Sequence, residues 1–89
     1  MFRTKWQQKA DEDYIFWKTN HPEIADTIDE LVADMLNDPF TGIGNPKELE
    51  RDLKGLWSRR ITKEHRLVYL VSGDLISILR CRYHYIDVR

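Results

Sequence analysis

The chain has 89 residues, a formal net charge of −1 and a single cysteine, Cys81. This length predicts one small domain, residues 1–89, and excludes a separate cofactor-binding domain. One cysteine excludes an internal disulfide framework and offers neither a CxxC motif nor a Cys/His metal spacing, so we expect no cofactor and no bound metal. The chain lacks a run of eighteen apolar residues and an N-terminal signal core, which favours a soluble, cytoplasmic protein without membrane contact.

Charge is unevenly distributed along the chain. Residues 1–50 hold 5 Lys and Arg against 11 Asp and Glu, a net charge of −6, whereas residues 51–89 hold 9 against 4, a net charge of +5. The basic second half could contact a polyanion such as nucleic acid, or equally an acidic protein partner. Composition leaves both kinds of partner open.

The first half of the chain predicts a strand followed by two helices. Residues 2–6 have a strand-like pattern, and residues 8–18 follow with apolar side chains at helical spacing. Pro22 suits the first position of a second helix, because its φ angle is already helical and it has no N–H to leave unpaired. That helix runs to about residue 37, and its apolar stripe is expected to cover a sheet: Ile24, Ile28, Leu31, Val32, Met35 and Leu36.

The second half predicts strands. Residues 38–46 are dense in turn residues and form a loop of fixed shape, whereas the charged segment 47–55 is ambiguous and permits one helical turn. Residues 56–71 form a β-hairpin, and residues 75–83 form the last strand. The fold class is therefore α+β, with an N-terminal strand and a two-helix hairpin packed on one face of a mainly antiparallel sheet. The other face is open to a ligand.

The hairpin carries candidate anion-binding arginines. Side chains alternate along a strand, so Arg60 lies on one face and Arg59 on the other. If Arg60 and Arg66 point to the same side, their guanidinium groups converge and can hold a phosphate through paired N–H donors. The alternative is an ordinary solvated sheet face.

The last strand adds further cations and a histidine. If the alternation continues, Arg80, Arg82 and His84 share one side, and Tyr85 lies beside them where the sheet ends. A histidine can give or take a proton near neutral pH. With the hairpin arginines it forms the combination that RNA cleavage without a metal requires: groups that hold the phosphate charge, and an acid for the departing 5′-oxygen. The alternative is a solvated chain end.

Four sequence blocks carry a resemblance to a known family. They read DPFTGIG at residues 38–44, WSRRI at 57–61, EHRLVY at 64–69 and RYHY at 82–85. These blocks and their spacing resemble the signature blocks of the YoeB/Txe toxins, within the RelE superfamily. The likeness covers nearly the whole chain and leaves only residues 86–89 beyond the usual His-Tyr ending.

The resemblance implies a RelE-like microbial RNase fold and a toxin of a type II toxin–antitoxin module. Proteins of this kind are ribosome-dependent endoribonucleases that cut mRNA in the decoding site and inhibit translation. A YefM-like, partly disordered antitoxin is the implied partner, together with the ribosome carrying mRNA, and the implied assembly is a homodimer.

The resemblance also implies roles for individual residues. Arg66 would stabilise the transition state, His84 would be the general acid, Arg60 would contact a phosphate and Tyr85 would shape the site. Arg59 and Arg82, which lie in the matching blocks, complete the predicted set of RNA- and phosphate-binding residues.

One motif departs from the family pattern, which reads Pro-Glu-Pro-Leu-Lys. This chain reads Pro46-Lys47-Glu48-Leu49-Glu50, so Lys47 stands where the family has its general-base glutamate. Our hypothesis is a charge swap, in which Glu50 abstracts the proton and Lys47 is its positive partner. Glu48 is a rival, because a small loop shift could bring its carboxylate in, and Lys47 itself is a third candidate base. The alternative function is a catalytically weakened module that binds RNA, the ribosome or the antitoxin.

Overall fold

A computed structural model describes residues 1–84 as two helices packed against a five-stranded sheet. The elements in chain order are β1 (Arg3–Trp6), α1 (Gln8–Asn20), α2 (Pro22–Asn37), β2 (Lys47–Glu48), a 3₁₀ turn (Arg51–Leu53), β3 (Leu56–Arg60), β4 (Arg66–Ser72) and β5 (Leu75–Arg80). This architecture confirms the predicted α+β class. Pro22 occupies the start of α2, as its fixed φ angle predicts.

The sheet has the strand order β1-β5-β4-β3-β2. Strand β1 runs parallel to β5, and the other neighbouring pairs are antiparallel. Arg60 at the end of β3 pairs directly with Arg66 at the start of β4. Because directly paired residues project to the same face, the two arginines lie side by side.

The core lies between the helices and one face of the sheet. Its buried residues alternate along the strands and recur at helical spacing in α1 and α2: Ala10, Trp17, Ala25, Ile28, Leu31, Met35, Leu67, Tyr69, Ile76 and Ile78. Leu36, which the sequence pattern assigns to the apolar stripe, is exposed instead. Neither helix has the length and apolar content that crossing a lipid bilayer requires.

Two segments differ from the sequence prediction. The ambiguous segment 47–55 forms the short edge strand β2 and a 3₁₀ turn rather than an α-helical turn. Strand β5 ends at Arg80, three residues earlier than expected. Tyr83 has a left-handed φ angle of 68°, and a strand cannot continue through a residue in that conformation.

The loop of residues 38–46 is built around the guanidinium of Arg59. This side chain is fully buried, and its five N–H donors meet five acceptors. They are Asp34 Oδ2 at 2.6 Å, the carbonyl oxygens of Ile43, Asp38 and Thr41 at 3.0, 2.8 and 2.8 Å, and the Tyr69 hydroxyl at 3.2 Å. From the sequence, Arg59 is predicted to be among the phosphate-binding residues. That prediction is wrong, because all N–H donors of Arg59 are satisfied inside the protein.

Candidate functional site

A polar cleft of about 130 Å³ lies on the sheet face turned away from the helices. Arg59 faces the helices and contacts α2, so the alternation of side chains along β3 directs Ser58 and Arg60 to the opposite face. The lining residues come from the loop, three strands and the C-terminal turn: Asn45, Lys47, Ser58, Arg60, Arg66 and His84. The cleft thus gathers three cationic side chains and an imidazole.

The register of the sheet explains why these side chains meet. Lys47 of β2 pairs with Ser58 of β3, which is two residues before Arg60. The loop is joined to the same strand, because the Arg60 N–H donates to the Gly44 carbonyl at 2.7 Å. Strands β2, β3 and β4 therefore set the spacing of the cationic groups.

The turn between β3 and β4 orients Arg66. Its Nη1 donates to the carbonyl oxygens of Thr62, Lys63 and His65 at 2.8, 3.1 and 3.1 Å. The Thr62 hydroxyl in turn accepts from the backbone N–H groups of Glu64 and His65, each at 3.2 Å. A guanidinium held in this way loses little further freedom when it contacts an anion.

His84 reaches the cleft because the chain turns sharply after β5. Asp13 of α1 accepts two hydrogen bonds from Arg80, at 2.8 and 3.1 Å, and one from the Cys81 N–H at 3.1 Å. Trp17 Nε1 donates to the Cys81 carbonyl at 2.8 Å. After this anchor the left-handed Tyr83 redirects the chain, and His84 lies half-buried among the cleft residues.

Arg82 does not join His84, contrary to the sequence expectation. Its guanidinium carbon lies 3.5 Å from the ring centroid of Phe16 on α1 and 4.7 Å from that of Tyr83. These are cation–π contacts on the helical side of the molecule. The expected alternation fails here, because β5 has already ended at Arg80 and the backbone turns between Arg82 and His84.

Neither carboxylate offered as a replacement base lies in the cleft. Glu48 pairs with Trp57 and so projects to the face opposite Lys47, where its Oε2 accepts the Gly55 N–H at 3.2 Å. Glu48 and Glu50 line a separate depression with Leu49, Arg51 and Lys54. The charge-swap hypothesis needs Glu50 beside His84, and the geometry instead brings Lys47 there.

Three further points concern the neighbourhood of the cleft. Tyr85, to which the resemblance assigns a role in the site, lies outside the described residues. Cys81 is buried, and burial raises the pKa of its thiol far above the usual range, so the thiol is unreactive. Within residues 1–84, no three His, Cys, Asp or Glu side chains cluster as metal ligands would.

Sequence reasoning missed Asn45, Ser58 and His65. Ser58 could have been found, because it shares a strand face with Arg60 at a spacing of two. Asn45 has a left-handed φ angle of 51°, which a turn-rich loop suggests only in general terms. No local pattern signals that His65 contacts a turn eighteen residues later.

The sequence of this chain is similar to those of known bacterial toxins. Residues 6–85 match the model of a family described as "YoeB-like toxin of bacterial type II toxin-antitoxin system". Toxin YoeB of Escherichia coli strain K12 is 46% identical over 80 residues, which cover 90% of this chain and 95% of that protein.

Solved structures agree with this likeness. The YoeB/ParE toxin from Agrobacterium tumefaciens superposes with a TM-score of 0.90 at 38% identity, covering 94% of this chain and all of that one. The toxin in the YoeB–YefM toxin–antitoxin complex from Staphylococcus aureus gives a TM-score of 0.85 at 37% identity, covering 96% and 99%.

The fold and the cleft together define the class of protein as a small bacterial toxin of a toxin–antitoxin system. More particularly, the chain belongs to the YoeB-like toxin family of type II systems.

Proposed function

We propose that this toxin is an endoribonuclease that cuts mRNA in the decoding site of the ribosome and thereby inhibits translation, without using a metal ion. The observation that carries the proposal is the cleft itself, in which Arg60, Arg66, Lys47 and His84 converge. In this proposal the cleft holds the scissile phosphodiester, and the ribosome positions the message.

The arginines are proposed to bind the scissile phosphate. Arg60 and Arg66 are directly paired across β3 and β4, so their guanidinium groups can approach one phosphate from neighbouring positions. Attack of the ribose 2′-hydroxyl makes phosphorus five-coordinate and adds negative charge to its oxygens. Cations that are already positioned stabilise this charge more than they stabilise the starting diester, which accelerates the reaction.

His84 is proposed to protonate the departing 5′-oxygen. An imidazolium at the edge of the cleft can transfer one proton at neutral pH, which removes the need to expel an alkoxide. The 2′-oxygen has by then formed a bond to phosphorus, and the bond to the 5′-oxygen breaks. The products are a 2′,3′-cyclic phosphate on the upstream fragment and a 5′-hydroxyl on the downstream fragment.

Lys47 is proposed to accept the proton from the 2′-hydroxyl. Of the three candidate bases it is the residue that lines the cleft with His84, while Glu48 and Glu50 line a different depression. The amine must be neutral to take the proton.

The partners proposed for the toxin follow from its relatives. The S. aureus toxin was solved as a heterotetrameric complex of YoeB with YefM, and also as a YoeB dimer. We propose that a YefM-like antitoxin neutralises this chain and that the chain forms a homodimer. An antitoxin segment with acidic residues would suit the basic cleft.

Substitution of His84 tests the nuclease reaction. His84→Ala should lower the rate of mRNA cleavage on purified ribosomes by about 10²–10⁴-fold, since the leaving group loses its acid. His21→Ala, which changes an exposed histidine at the junction of α1 and α2, is the matched control and should keep the wild-type rate. Primer extension should map the new ends, which carry a 5′-hydroxyl. Undiminished cleavage by His84→Ala would contradict the proposed acid.

Substitutions of the candidate bases test the role of Lys47. Lys47→Ala should lower cleavage by about 10²-fold or more, whereas Glu48→Ala, Glu50→Ala and the control Lys54→Ala should remain within about threefold of wild type. Lys47→Glu should restore cleavage with a pH optimum moved toward acid, because a carboxylate is already ionised near pH 5.

The same measurements distinguish the alternative function. Inhibited translation without new mRNA ends in the wild type would favour a binding module whose site is weakened by Lys47. Loss of cleavage in Glu50→Ala with full cleavage in Lys47→Ala would favour Glu50 as the base and contradict the lysine base.

A further inference from the structure

The side chain of His65 contacts the turn that carries His84 into the cleft. Its Nδ1 lies 2.8 Å from the backbone nitrogen of Tyr83. A backbone N–H can only donate, so Nδ1 is the acceptor and the proton of the neutral imidazole is on Nε2. The next residue, Arg66, donates its backbone N–H to the Tyr83 carbonyl at 2.9 Å. Two consecutive residues therefore hold both backbone polar groups of Tyr83.

Tyr83 needs this support because its backbone is strained. Its φ angle of 68° lies in the left-handed region, which disfavours a residue with a Cβ atom. The turn persists only if surrounding contacts offset that cost. Without them the segment after β5 could extend, and the sheet alternation would direct His84 away from the cleft.

His65 is itself rigidly placed. Its ring packs edge-on against the buried indole of Trp17, with centroids 4.7 Å apart and an interplanar angle of 74°. Its backbone N–H donates to the Thr62 hydroxyl at 3.2 Å, and its carbonyl accepts the Ile61 N–H at 3.0 Å. The imidazole thus links helix α1, the β3–β4 turn and the C-terminal turn.

We infer that His65 is a positioning residue, which holds Tyr83 by its Nδ1 acceptor and so keeps His84 in the cleft. Its effect on cleavage rests on the proposed function, whereas its effect on the turn rests on geometry alone. His65 takes no part in the reaction chemistry, because it acts only by positioning His84.

Protonation of His65 would remove the acceptor. Four charged side chains interact electrostatically with the ring: Asp13 from α1, Glu64 and Arg66 beside it in the chain, and Arg82 from the C-terminal turn. Burial is the main cause that lowers the pKa of His65. The charges of Arg82 and Arg66 lower this pKa further, whereas those of Glu64 and Asp13 raise it. The stability that this hydrogen bond contributes is therefore fully present above the unfolded pKa of about 6.5 and is lost as the pH falls through the lower folded pKa.

Three variants test the inference. His65→Phe keeps an aromatic ring against Trp17 but has no acceptor, His65→Asn places an amide oxygen near the position of Nδ1 without titrating, and His21→Phe is the matched control. His21 contacts the same indole with ring centroids 5.9 Å apart, from the junction of α1 and α2. The measurements are steady-state mRNA cleavage on ribosomes from pH 5 to 8 and hydrogen exchange of the Tyr83 amide.

We expect His65→Phe to lower kcat by about 10–100-fold at pH 7.5 with KM unchanged within about twofold, since misplacement of an acid affects the chemical step. Its Tyr83 amide should exchange faster than in His21→Phe. His65→Asn should stay within about threefold of wild type at pH 7.5 and retain more of its rate than wild type as the pH falls.

The inference is overturned if His65→Phe leaves both the cleavage rate and the Tyr83 exchange unchanged. Should His65→Phe not fold, the acid limb of His65→Asn decides, and a limb identical to the wild type overturns the inference. A wild-type protein that cleaves no mRNA would defeat the proposed function, yet faster Tyr83 exchange in His65→Phe would still support the positioning contact.

Discussion

Arg59 and Arg60 are adjacent in the chain, identical in chemistry and opposite in use. Arg59 points to the helices, is fully buried and satisfies all five N–H donors within the protein. Arg60 points the other way and is exposed in the cleft with Arg66 and His84. The comparison teaches that an arginine in a basic motif cannot be assigned to ligand binding by its type, because one step along a strand changes its surroundings completely.

The two arginines are also coupled through the loop of residues 38–46. Arg59 bonds three carbonyl groups of that loop, and the Arg60 N–H bonds the Gly44 carbonyl near its end. The next residue, Asn45, lines the cleft. The buried Arg59 thus helps to position the loop that lines the cleft on the opposite face of β3. A substitution on the buried face should therefore also alter the cleft.

The largest expected effect distinguishes the two arginines by stability. Arg59→Leu should reduce the free energy of unfolding by about 3–5 kcal/mol, because it leaves the Asp34 carboxylate and the loop carbonyl groups without their donor. Arg60→Leu should change the same quantity by less than about 1 kcal/mol while lowering RNA cleavage. Denaturant unfolding of both variants measures the difference. Equal destabilisation by the two substitutions would contradict the assigned roles.

A smaller effect is expected from the loop glycine that the buried arginine holds close. Gly44 has a φ angle of 79°, and an added Cβ would lie 2.7 Å from Leu31 Cδ2 and 3.1 Å from Arg59 Cβ. Gly44→Ala should cost about 2–4 kcal/mol, since backbone strain and overpacking add. Gly73→Ala is the matched control, because its φ of 60° is similar but open space surrounds it, and it should cost about 1–2 kcal/mol. Thermal unfolding would refute this if the control lost as much stability.

The smallest effect concerns the pH dependence of the buried side. The hydrogen bond from Arg59, then that from the Ile43 N–H, lowers the pKa of Asp34. The ionised carboxylate therefore contributes stability that is present above its unfolded pKa of about 3.9 and is lost as the pH falls through the lower folded pKa. The stability difference between wild type and Asp34→Asn should shrink as the pH falls from 5 to 2. Asp26→Asn, on the exposed side of α2, is the matched control for removal of a carboxylate from this helix.

Much of the secondary structure could be predicted from local periodic patterns in the sequence. Helical spacing and Pro22 predicted α1 and α2. Strand alternation separated Arg60 from Arg59 but left open whether Arg60 and Arg66 share a face, which the β3–β4 register decides. Alternation also put Arg59 on the other face, yet it could not indicate that a loop folds over that side chain. That outcome depends on contacts between residues 16 to 25 positions apart.

The turn after β5 could not be predicted from the sequence, for a different reason. The left-handed conformation is common for glycine and asparagine but rare for tyrosine, so nothing local indicates the turn at Tyr83. The alternation rule placed Arg82 and His84 on one side, whereas the structure separates them. The position of Lys47 was likewise open, because a two-residue strand gives too short a pattern to read.

The parallel pairing of β1 with β5 has a consequence for biosynthesis. Residues 3–6 are synthesised about seventy residues before their partners at 75–78. The sheet cannot close before then, and pairing between such distant segments is slow. His84 is synthesised later still, so the cleft cannot assemble until all the strands that position it have been made.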